Sequence, residues 1–188
     1  MKVLVLRFSS IGDIVLATPV GRCLHQQRDA EVHFLTKKKF AGVLEGNPHL
    51  ACIHTFDKKL VDILPRLRQE KYDCVIDLHH NWRSMYVKWA LGRPARSFHK
   101  LNIEKWLLVH TGFNVLPARH IVDRYMDTVR PLGVTYDGGG LDFFIAPRDV
   151  AHLQDWWPAY AGQPFIAFVI GATHATKRLP TEKIIDIC

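Results

Sequence analysis

Lys2-Val3-Leu4-Val5-Leu6-Arg7-Phe8-Ser9-Ser10-Ile11-Gly12-Asp13 decides the architecture of this chain. Its apolar part is a continuous run of valine and leucine, without the polar alternation of a half-exposed strand. Such a run reads as a strand buried on both faces, which is the habit of parallel sheets. Ser9 to Gly12 form a tight polar turn. From Asp13 the period changes: Ile14, Val15, Thr18, Val20 and Leu24 supply a broad apolar helix face, and Pro19 kinks or divides it.

The same alternation continues down the chain. Strands are expected over 31–36, 51–55 and 72–78, with a short one over 96–98. Helices are expected over 37–44, around Leu60, Leu64 and Leu67 (interrupted by Pro65), over 80–91 and over 119–132. A glycine turn at 138–140, a strand over 141–145 and a helix over 147–157 follow. Alternating strands and helices predict an α/β fold, a Rossmann-like parallel sheet with helices on both faces. Residues 158–164, rich in Pro, Gly and Ala, read as a linker. A strand over 165–170 and a helix from 181 read as the start of a second unit. The expected division is therefore 1–158 and 159–188, the latter a linker and the truncated start of another domain, and the chain reads as a fragment of a longer protein.

The 188 residues are 48% hydrophobic and 23% charged, values that exclude disorder, collagen and coiled coil. No apolar run reaches the roughly 18 residues of a membrane span. The N-terminus lacks a signal peptide's apolar stretch and cleavage site, so a cytoplasmic location is expected. Cys23, Cys52, Cys74 and Cys188 form no CxxC and are expected to be reduced. Zinc-type spacing is missing, as is GxSxG. Lys and Arg number 25 against 18 Asp and Glu, a formal charge of +7, which points to an anionic partner.

Three stretches can carry chemistry. The first is the turn Ser9 to Asp13, beyond the carboxyl end of the first strand, where ligands bind in open parallel sheets. It is neither GxGxxG nor a P-loop. Gly12 admits close approach to the backbone. Asp13 would either take a proton from a hydroxyl or simply cap a helix. The second is 75–84, where Asp77, His79, Asn81 and Arg83 gather at the same edge of the sheet. His79 and His80, being adjacent, make a poor metal pair. Trp82, Tyr86 and Trp89 share a helix face and read as core rather than as a sugar-stacking platform. The third is 170–180, a loop whose hydroxyls, amides and Lys177 would hold a pyrophosphate or remain a solvated basic loop. Lys37 to Lys39 and the pair Lys58-Lys59 are solvated faces unless they border the cleft. His120 and Arg124, four apart, would hold an anion or cap neighbouring carbonyls.

Taken in order, these stretches resemble the bacterial ADP-heptose:lipopolysaccharide heptosyltransferases, glycosyltransferase family 9. The opening Val3 to Asp13 is similar to that family's start. Tyr72 to Leu78 resembles its YD.VID strand, His120 to Arg124 its His-xxx-Arg helix, and Gly171 to Pro180 its nucleotide loop. The resemblance implies a GT-B architecture, with 1–158 as the N-terminal acceptor-binding half and the nucleotide-sugar domain beginning beyond it. It also implies an inverting transfer of heptose from ADP-heptose to the Kdo–lipid A inner core of lipopolysaccharide. Asp13 would be the general base, and Thr173 and Lys177 would bind the donor. Ser10, Gly12, Lys58, Lys59, Arg83, His120 and Arg124 would lie toward the anionic acceptor. No cofactor and no metal would be needed. The enzyme would lie on the inner face of the inner membrane, in peripheral contact with it, and would not bind nucleic acid. The fragment alone would be inactive.

Other readings remain at this level. A Rossmann oxidoreductase requires the glycine fingerprint that Ser9 to Asp13 lacks. A nucleic-acid-binding domain would gather its cations in a stripe, whereas here they are scattered among loops. A transferase of another nucleotide sugar, or a silent sugar-nucleotide binder, fits the same motifs.

Overall fold

A computed structural model describes residues 1–159, 162, 164–172 and 175–187. It falls into two compact units, Met1–Val150 and Ala151–Cys188.

Five strands build the first unit: β1 (Lys2–Leu6), β2 (Glu31–Lys37), β3 (Cys52–Phe56), β4 (Cys74–Asp77) and β5 (Ala95–Ser97). They form one sheet in the order β3-β2-β1-β4-β5, and every pairing is parallel. The expected α/β architecture is present. Val3 to Leu6 are fully buried because β1 is central and covered on both faces. Side chains alternate along it. Val3 and Val5 enter a core with Val20, Leu24, Tyr125 and Val129. Leu4 and Leu6 enter the opposite core with Leu60, Leu64, Leu67 and Val87. Truncating one of these leucines to alanine costs about 2–5 kcal/mol, through lost transfer energy and the cavity left behind.

Helices α1 (Ile11–Val15), α2 (Thr18–Arg28), α3 (Leu64–Gln69), α4 (Trp82–Leu91), α5 (Asn102–Thr111) and α6 (Ile121–Met126) complete this unit. Pro19 divides α1 from α2 by standing in the first turn of α2, where its missing N–H has no helical partner to lose. Pro65 does the same for α3, so it starts that helix rather than interrupting it.

Several expected elements differ. The stretch 37–44 holds a 3₁₀ helix, Lys38–Val43, and the long helix expected over 119–132 is α6 followed by a 3₁₀ turn at Arg130–Leu132. Residues 141–145 form no strand. Instead this stretch is fastened by polar contacts: Arg22, 5% exposed, pairs with Asp137 at 2.7 Å, with Asp142, and donates to the Gly140 carbonyl at 2.9 Å. A Cβ on Gly139 would stand 2.9 Å from that guanidinium, so the glycine permits the close approach. Helix α5 lies where the sequence reading expects no element, and it ends at Gly112, whose φ of 74° makes a left-handed cap.

The second unit contains α7 (Leu153–Trp156), a 3₁₀ turn at Ala175–Lys177 and α8 (Thr181–Ile187). The helix expected over 147–157 is reduced to a 3₁₀ turn at Pro147–Asp149 and the single turn of α7. The strand expected over 165–170 does not form, and Ile166 is 96% exposed. A strand needs a hydrogen-bonded neighbour, and none pairs with this run among the described residues. No helix among the described residues is long and apolar enough to cross a membrane.

Candidate functional site

The chain runs from β1 outward to β3, then crosses back to place β4 on the other side of β1. The crevice between the carboxyl ends of β1 and β4 is therefore the switch point, where open α/β sheets bind ligands. Two loops frame it, Arg7 to Ser10 after β1 and Leu78 to Asn81 after β4.

Asp13 lies in the first turn of α1, three residues after Ser10, and is half-buried. Its Oδ2 accepts from the Ser10 amide at 3.1 Å and the Ser10 hydroxyl at 2.9 Å, and stands 2.8 Å from Arg7 Nη2. Burial opposes its ionisation. The Ser10 amide, the Arg7 guanidinium and the Ser10 hydroxyl outweigh that and hold the carboxyl below its usual range. Asp13 thus closes the α1 terminus and is also an ionised carboxylate. It opens on a pocket of about 260 Å³ lined by Arg7, Lys100, Arg124, Tyr125 and Phe98. Three cations and one carboxylate line it, a setting for an anionic ligand with a reacting hydroxyl.

Arg7 is the organising residue that the motif reading passed over. It is 8% exposed, donates to the Leu78 carbonyl and lies over the Tyr125 ring at 5.8 Å. One guanidinium thereby ties the ends of β1 and β4 to Asp13 and α6. Only the position of an arginine at a strand end hints at this in sequence.

Arg124 joins Asp13 in the same pocket, donating to the His99 carbonyl at 2.6 Å and covering Phe98. His120 caps α6 by accepting from the Val122 amide at 3.3 Å. Ser10 and Gly12 are exposed at the turn, and a Cβ on Gly12 would meet nothing within 4 Å. Lys58 and Arg83 line a separate groove of about 330 Å³ with Phe56, Trp82 and Tyr86. Lys59 borders a third hollow with Lys58 and Asp62. Lys177 is exposed in the 3₁₀ turn of the second unit. Thr173 lies outside the described residues.

The cluster around β4 proves largely architectural. Asp77 is fully buried and accepts from the His79 and His80 amides, the Ser84 hydroxyl and, at 2.9 Å, Lys88. Asn81 caps α4 through the Ser84 amide. His79 packs on Phe8 at 4.7 Å between centroids, while His80 reaches the Phe98 carbonyl, so the two rings diverge as expected. The aromatic stripe corrects its reading as core: Trp82 and Trp89 are 71% and 77% exposed, and Trp89 stacks on Tyr86. The apolar face of α4 that faces inward is carried by Val87, not by the aromatics.

A profile of glycosyltransferase family 9 (heptosyltransferase) matches residues 61–185. The chain belongs to this family. It is 29% identical over 163 residues to lipopolysaccharide heptosyltransferase 1 of Campylobacter coli, covering 82% of this chain and 46% of that protein. It is 28% identical over 162 residues to lipopolysaccharide heptosyltransferase 3 of Escherichia coli, covering 78% and 44%. The chain thus spans about half the length of the curated relatives it matches. Among solved structures, the glycosyl transferase family 9 protein from Veillonella parvula shares the fold with a TM-score of 0.78 at 23% identity, over 99% of this chain and 57% of that one. E. coli ADP-heptose lps heptosyltransferase II does so with a TM-score of 0.65 at 17% identity, over 100% and 62%. Within this family frame, the match spans the Tyr72 to Leu78 strand, His120 to Arg124 and Gly171 to Pro180, three of the four stretches that carried the sequence resemblance.

Proposed function

We propose that this chain supplies the acceptor-binding part of an inverting sugar transferase that moves heptose from ADP-heptose to the Kdo–lipid A region of lipopolysaccharide. Family membership and the names of the relatives support the sugar and the acceptor. The observation that carries the chemistry is Asp13, held ionised by Arg7 and Ser10 at the mouth of a cationic pocket.

In this reading the acceptor's anionic groups sit against Arg124 and Lys100, with Ser10 and Gly12 at the hydroxyl. Lys58, Lys59 and Arg83 meet more distant phosphates or carboxylates, and His120 contributes by fixing the start of α6. Asp13 takes the proton of the attacking hydroxyl as that oxygen bonds to C1 of the donor sugar. The diphosphate leaves with its electron pair, met by Lys177, Thr173 and loop amides from the donor side, without a metal. The net charge of +7 favours an anionic acceptor held at the inner face of the inner membrane. In this two-domain scheme the 188-residue chain alone is inactive.

A donor screen with a full-length protein carrying this chain tests the proposal. ADP-heptose, another ADP-sugar and a UDP-sugar are offered with a Kdo–lipid A acceptor. Transfer from ADP-heptose alone is expected. Transfer from the UDP-sugar instead would move the protein to another nucleotide-sugar class.

A further inference from the structure

At the opposite edge of the sheet from Asp13, three metal-binding side chains converge on the paired strands β2 and β3. The parallel register sets His33 beside Cys52 and Leu35 beside His54. Because side chains alternate, His33, Cys52 and His54 share one face. In sequence the cluster is invisible: His33 stands on another strand from the Cys52 and His54 pair, and no local spacing links them.

We propose that His33, Cys52 and His54 bind a Zn²⁺ ion at the amino-terminal edge of the sheet. Their ligand atoms all lie within 4.8 Å of one another. His33 Nδ1 and His54 Nε2 are 3.0 Å apart. Tetrahedral zinc, with Zn–N of about 2.0–2.1 Å, needs about 3.3 Å between two nitrogens and about 3.6 Å between nitrogen and sulfur. The rings must therefore separate by only a few tenths of an ångström. The Cys52 sulfur must close by roughly 1 Å at most, which rotation of a half-buried side chain supplies.

The surroundings of His33 match what a metal-bound histidine requires. His33 Nε2 lies 3.0 Å from Glu31 Oε1, so that ring donates outward to a carboxylate and offers Nδ1 inward. The two rings are 3% and 1% exposed. His54 Nδ1 is buried and has no hydrogen-bond partner among the described residues, so this ring offers Nε2 to the site without the outer hydrogen bond that His33 has. Glu70 Oε2 stands 4.0 Å from His33 Nδ1 but is paired with Lys2 at 2.9 Å, so a water would complete the tetrahedron. The ion would pin the β2–β3 edge, away from the transfer reaction, and the proposal does not depend on that reaction. The competing arrangement is a hydrogen-bonded core in which Tyr72 Oη, 2.9 Å from His33 and 3.0 Å from His54, closes the triangle without a metal.

The chain is stripped with a chelator and titrated with Co²⁺ as a spectroscopic stand-in for Zn²⁺. One equivalent is expected to give visible bands of a tetrahedral ion and a near-ultraviolet thiolate-to-cobalt band, both lost on adding Zn²⁺. Cys52→Ser should abolish the thiolate band and weaken binding tenfold or more. Zinc X-ray absorption of the unaltered chain should show one sulfur and at least two imidazoles, whether or not that variant folds. Absence of a stoichiometric complex, or a purely nitrogen and oxygen shell, would overturn the proposal in favour of the His33–His54–Tyr72 hydrogen-bonded core.

Discussion

Arg7 Nη2 stands 2.8 Å from Asp13 Oδ2, and the same guanidinium donates to the carbonyl of Leu78. A buried arginine at the end of one central strand thus holds the carboxylate of the next helix and the end of the neighbouring strand. After the Ser10 amide, its guanidinium helps hold the Asp13 carboxyl below its usual range, and both side chains line one pocket.

Arg7 acts as a positioning residue, so its removal should show in a pH profile. Without the guanidinium, the Asp13 carboxyl loses a partner that favours its charged form, and its pKa rises. In Arg7→Met full-length enzyme, the acid limb of kcat/KM should move to higher pH, with turnover reduced throughout. An unmoved acid limb in a folded variant would detach Arg7 from the ionisation of Asp13.

Gly12 makes a separate prediction, because a Cβ there meets only open space. Gly12→Ala should fold with equal or slightly greater stability, since alanine favours a helix by about 1 kcal/mol over glycine. If the acceptor approaches the backbone here, its KM should rise while the melting temperature holds. Unchanged kinetics would place the acceptor elsewhere.

His79 predicts how stability depends on pH. Burial, with the Arg7 and Lys100 cations, pushes it down to about 4 against the opposing pull of Asp77 and Asp13. Its folded pKa lies below the ordinary 6.5, so the unfolded chain binds the proton first. Stability should therefore fall as pH drops from about 6.5 towards 4, by roughly 1–3 kcal/mol from this group. His79→Phe keeps the packing on Phe8 and should flatten that part of the curve, measured by denaturant unfolding at several pH values. The same slope in the variant would assign the loss to other groups.

How much of this was legible in the sequence follows from the range of each interaction. Val3 to Leu6 and the turn to Asp13 are local, and their change of period placed the central strand and the switch-point loop. Trp82, Tyr86 and Trp89 misled because one helix face has the same spacing whether it turns inward or outward. Arg7 and the Arg22–Asp137–Asp142 cluster depend on contacts across the fold, which no local pattern records. The run over 165–170 has the composition of a strand, but a strand exists only where another pairs with it. For the candidate site, Asp13 and Arg124 were named from sequence and meet in one pocket, whereas Lys58 and Arg83 share a different groove.

The account rests on Asp13 acting as a base and not only as the residue that closes the α1 terminus. Asp13→Asn in a full-length protein separates the two roles, because asparagine can still accept from Ser10 but cannot take the acceptor's proton. The measurement is kcat with ADP-heptose and a Kdo–lipid A acceptor, beside the melting temperature. A folded variant slowed by ~10²–10⁴-fold is the predicted result. A folded variant that keeps most of its turnover would contradict the account and leave Asp13 a structural role alone.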